Sequence, residues 1–147
     1  MRLAAFSTAI GLVTLSSTAL TAQTTGTDAE KKAVRVALEH YLAGHATGDG
    51  AHYRLAFQDS ANLYFVRDGQ FRIWPSRDYA ASASGKPAED EAQRKRRIDF
   101  IDVTGTAAVA RITLEYPGVT LTDYMSLVKI GNEWKIVSKI FDANRKQ

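Results

Sequence analysis

The sequence predicts an α+β domain in which a curved antiparallel sheet wraps around N-terminal helices. Three observations carry that prediction. Apolar residues recur at three- and four-residue spacing in the first third, an Asp68-Gly69 pair separates two β-rich runs, and four further β-rich runs with short turns fill the chain from Arg94 onward. Helices that come first and a meander of strands that follows are the mark of an α+β plan rather than of alternating βα units.

The elements follow in order. Arg2 precedes an uncharged stretch over residues 3–20, rich in Ala, Leu, Ser and Thr, that ends in small residues near Ala22. This reads as a secretory signal peptide over residues 1–22 rather than a membrane anchor, because so many hydroxylated residues leave it weakly apolar. Residues 23–28 read as a disordered leader and 29–147 as the folded domain. Val34, Ala37, Leu38, Tyr41, Leu42 and His45 form one apolar stripe opposite Lys32, Arg35 and Glu39, which predicts a long first helix. Gly48 can end it, and Asp49 can cap a second short helix running to about Phe57. Residues 59–62 read as a turn. Residues 63–67 and 70–74 then form a hairpin around Asp68-Gly69, and Ser76 can cap a third helix over 77–84. Residues 94–103, 107–116, 120–130 and 133–141 complete the sheet.

Composition excludes several functions. The 147 residues hold no Cys, so disulfides, thiol catalysis and Cys-ligated metals are impossible. The formal charge of +3 is small, and its one dense basic run, Arg94-Lys95-Arg96-Arg97, follows Glu89-Asp90-Glu91 and enters a strand whose residues alternate in direction. Neither a nucleic-acid partner nor, after signal cleavage, a membrane is expected. His40, His45 and His52 are five and seven residues apart, which does not stack imidazoles on one helical face, so neither a metal site nor a cofactor is expected.

The segment ending Tyr41-Leu-Ala-Gly-His-Ala-Thr-Gly-Asp49, the stretch Phe57-x-Asp59-Ser-Ala-Asn-Leu-Tyr64, and the closing Gly131-Asn-Glu-Trp134-Lys-Ile-Val137 resemble the nuclear transport factor 2-like superfamily. The likeness is closest to the exported bacterial proteins termed SnoaL-like or putative lumazine-binding. It implies a cone-shaped α+β barrel, cystatin-like in layout, with a pocket between the first helix and the concave sheet and with dimerisation through the outer sheet face. It implies no single activity, since the fold hosts isomerases, dehydratases, cyclases and binders.

Strand alternation nominates the pocket walls. We expect the faces bearing Tyr124 with Ser126, and Trp134 with Ile136, to point at the helices, so that Tyr41, Tyr64, Trp74 and Tyr124 make an aromatic cavity for a flat ligand. Arg97 would pair with an anionic ligand at the rim, and His45 beside Tyr41 would be a hydrogen-bonding or general-base residue. The ketosteroid isomerase branch of the superfamily places a Tyr where Tyr41 stands, but Phe65 and Ser126 stand where its two acids would be. A phenol alone cannot abstract a proton near neutrality, its ordinary pKa being about 10. The leading expectation is therefore an exported, periplasmic or secreted domain that holds an aromatic or polycyclic small molecule without turning it over. The alternatives are a hydrolase, dehydratase or cyclase using His45 and Tyr41, and a homodimeric module whose outer face carries Met125, Leu127, Val137 and Phe141.

Overall fold

The structure, a computed structural model, describes residues 20–145; the first 19 residues of the expected signal peptide lie outside them. Helix α1 (Leu20–Thr47) turns at a corner into α2 (Gly50–Ala56), which leads into β1 (Phe57–Arg67), β2 (Gln70–Pro75) and α3 (Ser76–Ala81). A 3-10 turn at Glu91–Gln93 precedes β3 (Lys95–Thr104), β4 (Ala107–Tyr116), β5 (Val119–Ile130) and β6 (Glu133–Arg145). The six strands lie in the order β2-β1-β6-β5-β4-β3. All neighbours are antiparallel except β1 and β6, which run parallel because the chain returns to β1 only after completing the meander. The α+β class and the curved sheet around the helices are as the sequence predicts, and the sheet stays unclosed between β2 and β3.

The α1 stripe is buried as its spacing requires: Val34, Leu38 and Tyr41 are inaccessible and Ala37 nearly so. Asp49 caps α2 by accepting a hydrogen bond from the Ala51 amide at 2.8 Å. At the opposite end of the cone, Glu30 accepts from Lys129 Nζ at 2.5 Å and from Trp134 Nε1 at 2.8 Å, tying α1 to the β5–β6 turn.

Three local expectations are corrected. Residues 23–28 continue α1 toward Leu20 rather than forming a disordered leader; extending an existing helix adds one hydrogen bond per residue fixed, and no proline intervenes. Residues 59–62 belong to β1, where Ala61 is buried and Asn62 pairs with both Pro75 and Ser138. Ser76 begins α3 instead of capping it, because its hydroxyl donates to the Gln58 carbonyl at 3.1 Å and Pro75 takes the cap position.

Two glycines permit the helical corner. Gly48 ends α1 at φ +69°, a conformation that L side chains disfavour. Gly44 lies against the Tyr53 ring so closely that a Cβ would fall 2.5 Å from Tyr53 Cε1. Gly44→Ala is expected to destabilise the fold by about 1–3 kcal/mol through this overpacking, read as a lower denaturant midpoint with an unchanged slope.

Candidate functional site

The chemistry in the core depends on a one-residue irregularity in β6. Ser126 of β5 pairs with Ser138, but the next residue, Leu127, pairs with Ile136, so Val137 is an extra residue in β6. Trp134 and Ile136 point into the cone before the bulge. After it the alternation is inverted, and Lys139 turns inward while Ile140 faces solvent with 53% exposure.

On the neighbouring strand the inward face is Asp123, Met125 and Leu127, all essentially inaccessible. Asp123 and Lys139 therefore meet beneath Tyr41 of α1. The Tyr41 hydroxyl donates to Asp123 Oδ2 at 2.6 Å and accepts from Lys139 Nζ at 2.6 Å. Nζ also lies 2.9 Å from Asp123 Oδ1, a buried ion pair. Burial and the adjacent Asp123 hold the Tyr41 phenol well above its ordinary range, so it remains a proton donor. Burial pushes the Lys139 ammonium below its ordinary value, opposed by the charge of Asp123.

Aromatic rings enclose these groups. Lys139 Nζ lies 5.0 Å from the Tyr41 ring centre, 5.8 Å from Tyr79 and 4.5 Å from Phe141. His45 stands edge-on to Tyr41 and is held by two phenols, Tyr79 on Nε2 and Tyr116 on Nδ1, each at 3.0 Å. Arg96 donates to the Tyr116 oxygen at 3.2 Å, tying the imidazole's phenol partner to β3. Burial lowers the His45 pKa well below its ordinary value, and Lys139, Arg96 and Arg94 add to the effect, so the ring is neutral and clamped.

Of the residues nominated from sequence, Tyr41, His45 and Trp74 come together in the cone, with Trp74 edge-on to Tyr79 at 5.1 Å. The others do not join them. Tyr124 and Ser126 point outward, the reverse of the expected β5 face, and Tyr64 stacks on Phe71 on the same outer surface. Arg97 is exposed and pairs with Asp99 and Glu115, whereas its neighbour Arg96 faces inward and holds Glu91 at 2.6 Å. Met125 and Leu127 are core residues and cannot form an outer dimer face. Asp123 and Lys139, which the sequence did not nominate, add a carboxylate and an amine to the cone. Both faces of β5 mix polar and apolar residues, Asp123 with Met125 and Leu127 on one and Thr122 and Ser126 with Tyr124 on the other, so alternation alone does not say which is inside. His40 and His52 approach across the α1–α2 corner, Nδ1 to Nδ1 at 3.3 Å, yet among the described residues no three metal-ligating side chains cluster.

The buried neutral His45 makes stability pH-dependent. Its folded pKa lies below the unfolded value of about 6.5, so the contribution is complete above that pH and is lost as pH falls below it and the unfolded chain takes up the proton. Between about pH 6.5 and 5, above the carboxylate range, the unfolding free energy is expected to fall by up to about 1.4 kcal/mol per pH unit, and His45→Gln should flatten that slope. Urea titrations at half-unit pH steps check both.

Comparison with known proteins agrees with this fold. A family described as putative lumazine-binding matches residues 29–142. A nuclear transport factor 2-like protein of unknown function from Shewanella baltica OS155 superposes with a TM-score of 0.73 at 28% identity, covering 81% of this chain and 97% of that one. Another, from Silicibacter pomeroyi DSS-3, reaches 0.70 at 17% identity over 80% and 98% of the two chains, a likeness of fold. The aldolase FrzH of a Cladobotryum species is 27% identical over 119 residues, 80% of this chain and 94% of that protein. The chain thus belongs to the putative lumazine-binding family of the nuclear transport factor 2-like superfamily, a fold associated with small-ligand binding.

Proposed function

We propose that the protein is an enzyme that takes a small carbonyl compound into the cone and moves a proton at the carbon beside the carbonyl. The observation that carries this reading is the buried cluster of Tyr41, Asp123 and Lys139. A buried ion pair contributes little to stability compared with apolar side chains of similar volume, so the cluster is better explained by chemistry than by folding. Asp123 Oδ1 accepts the proton. The enolate oxygen that results is met by the Lys139 ammonium, fixed before the charge develops, and the Tyr41 hydroxyl turns to it from Asp123 Oδ2 once that carboxylate holds the proton. The enolate then regains a proton, or adds to a second carbonyl carbon to form a carbon–carbon bond, the new alkoxide taking up the proton. The aldolase relative supports the second outcome. Reading residues 1–22 as an export signal, we place this activity in the periplasm or outside the cell.

The test is hydrogen–deuterium exchange at the α-carbon of a panel of small ketones and aldehydes in heavy water, followed by NMR. Asp123→Asn should lower the exchange rate of an accepted compound by roughly 10²-fold or more. Tyr41→Phe, which keeps the ion pair, should also lower it. A compound that binds with no exchange above the solvent rate would instead favour a protein that holds its ligand unchanged.

A second reading concerns assembly. Val66, Phe71, Ile73, Tyr124 and Ile140 are all more than 45% exposed on the outer face of the adjoining strands β2, β1, β6 and β5, a run of apolar side chains of the kind that marks an interaction surface. We propose that this face, not the Met125–Leu127 face expected from sequence, pairs two copies. Light scattering should give twice the chain mass, and Tyr124→Lys with Ile140→Lys should give a monomer.

A further inference from the structure

The proposed chemistry needs a route to Lys139, which is 2% exposed. Beyond the pairing of Tyr64 with Ile140, strands β1 and β6 separate, and a groove of about 610 Å³ opens between them. This volume is in the range of small-molecule sites, roughly 300–1,000 Å³. Phe65 and Phe141 form its inner wall, stacked on one another at 4.7 Å between ring centres. The Phe141 ring is also the ring that lies 4.5 Å from Lys139 Nζ. The Phe141 ring thus borders both the groove and the ammonium. The hollow beside His40, Leu55 and Trp134, about 250 Å³, touches none of Tyr41, Asp123 and Lys139.

We propose that the groove between β1 and β6 is the mouth and outer part of the substrate site, and that it admits a flat, ring-bearing carbonyl compound whose carbonyl takes the place of the Phe141 ring beside Lys139. The stacked wall selects the ring: a planar substrate replaces the Phe65–Phe141 contact with one of its own kind. The lip carries Arg67 and Arg145 together with Asp68 and Asp142, two charges of each sign, so it offers hydrogen bonds to polar substituents while favouring neither net-charged class. Arg67 lies over the Phe65 ring at 5.1 Å and extends the planar surface outward. Phe141 is on this account the residue that determines which carbonyl compounds reach the cluster.

This inference rests on the carbonyl reading but is tested apart from turnover. Benzaldehyde with cyanoborohydride is the probe. The lysine nitrogen bonds to the aldehyde carbon, the carbonyl oxygen leaves as water, and hydride from the reductant fixes the imine as a secondary amine that peptide mass spectrometry locates. Phe141→Ala should speed modification of Lys139 at least fivefold over the parent, and Phe65→Ala should also speed it. Val34→Ala, which loosens the core two turns of α1 before Tyr41, should not, and exposed lysines such as Lys32 should react equally in every protein. An unchanged rate at Lys139 in Phe141→Ala, or an equal rise in Val34→Ala, overturns the route. Melting temperatures identify a variant that has lost its fold, in which case Phe141→Leu is used, with at least a twofold rise expected and no rise overturning the route. Faster labelling without any deuterium exchange would uphold the route and sink the catalytic reading; exchange unaffected by Phe141→Ala would do the reverse.

Discussion

Strand β6 holds β1 on one edge and β5 on the other, and the extra residue at Val137 decides what the core contains. With strict alternation, Ser138 and Ile140 would face the helices and Lys139 would face water. The bulge exchanges them. Leaving Ile140 half-exposed forgoes part of the roughly 1.5–3 kcal/mol that full burial of an isoleucine contributes, and burying Lys139 adds a desolvation penalty of several kcal/mol before pairing. Both changes oppose stability, and they occur at the same residue step. Places where a local rule is broken without a gain in folding energy are where a function is to be sought.

The surroundings keep the cluster in one arrangement. Asp123 offsets the Lys139 charge, Tyr41 bridges them, and the rings of Tyr79 and Phe141 face the ammonium with their electron-rich surfaces. His45 takes no part in the ion pair. It braces Tyr79 from one nitrogen and Tyr116 from the other, and Arg96 links that chain to Glu91 outside β3. The imidazole that looked like a general base from its position one turn after Tyr41 is thus a fixed neutral strut. The aromatic residues inside the cone pack against each other, with Tyr41, Tyr53, Phe57 and Tyr79 in ring contact.

Local chemistry made much of the architecture readable. The α1 stripe, the Asp49 cap, the Asp68-Gly69 hairpin and the four-strand meander each depend on interactions within a few residues, and each was found where the pattern placed it. The 3-10 turn at Glu91–Gln93 carried no signal, and Ser76 lost its capping role to a carbonyl 18 residues earlier in the chain.

The sequence by itself determined the α+β class, the order of the elements and the inward placement of Tyr41, His45 and Trp74, because helical periodicity and turn residues act over short distances. Tertiary structure alone decided which face of β5 is inside, that β6 changes face at Val137, and hence that Asp123 and Lys139 lie under Tyr41 in place of Tyr124 and Ser126. A bulge is a matter of register between two strands, and its cost and benefit arise only when β5 and β1 are both paired with β6. Asp123 and Lys139 lie 82 and 98 positions after Tyr41, and no local pattern records that the three share one buried point.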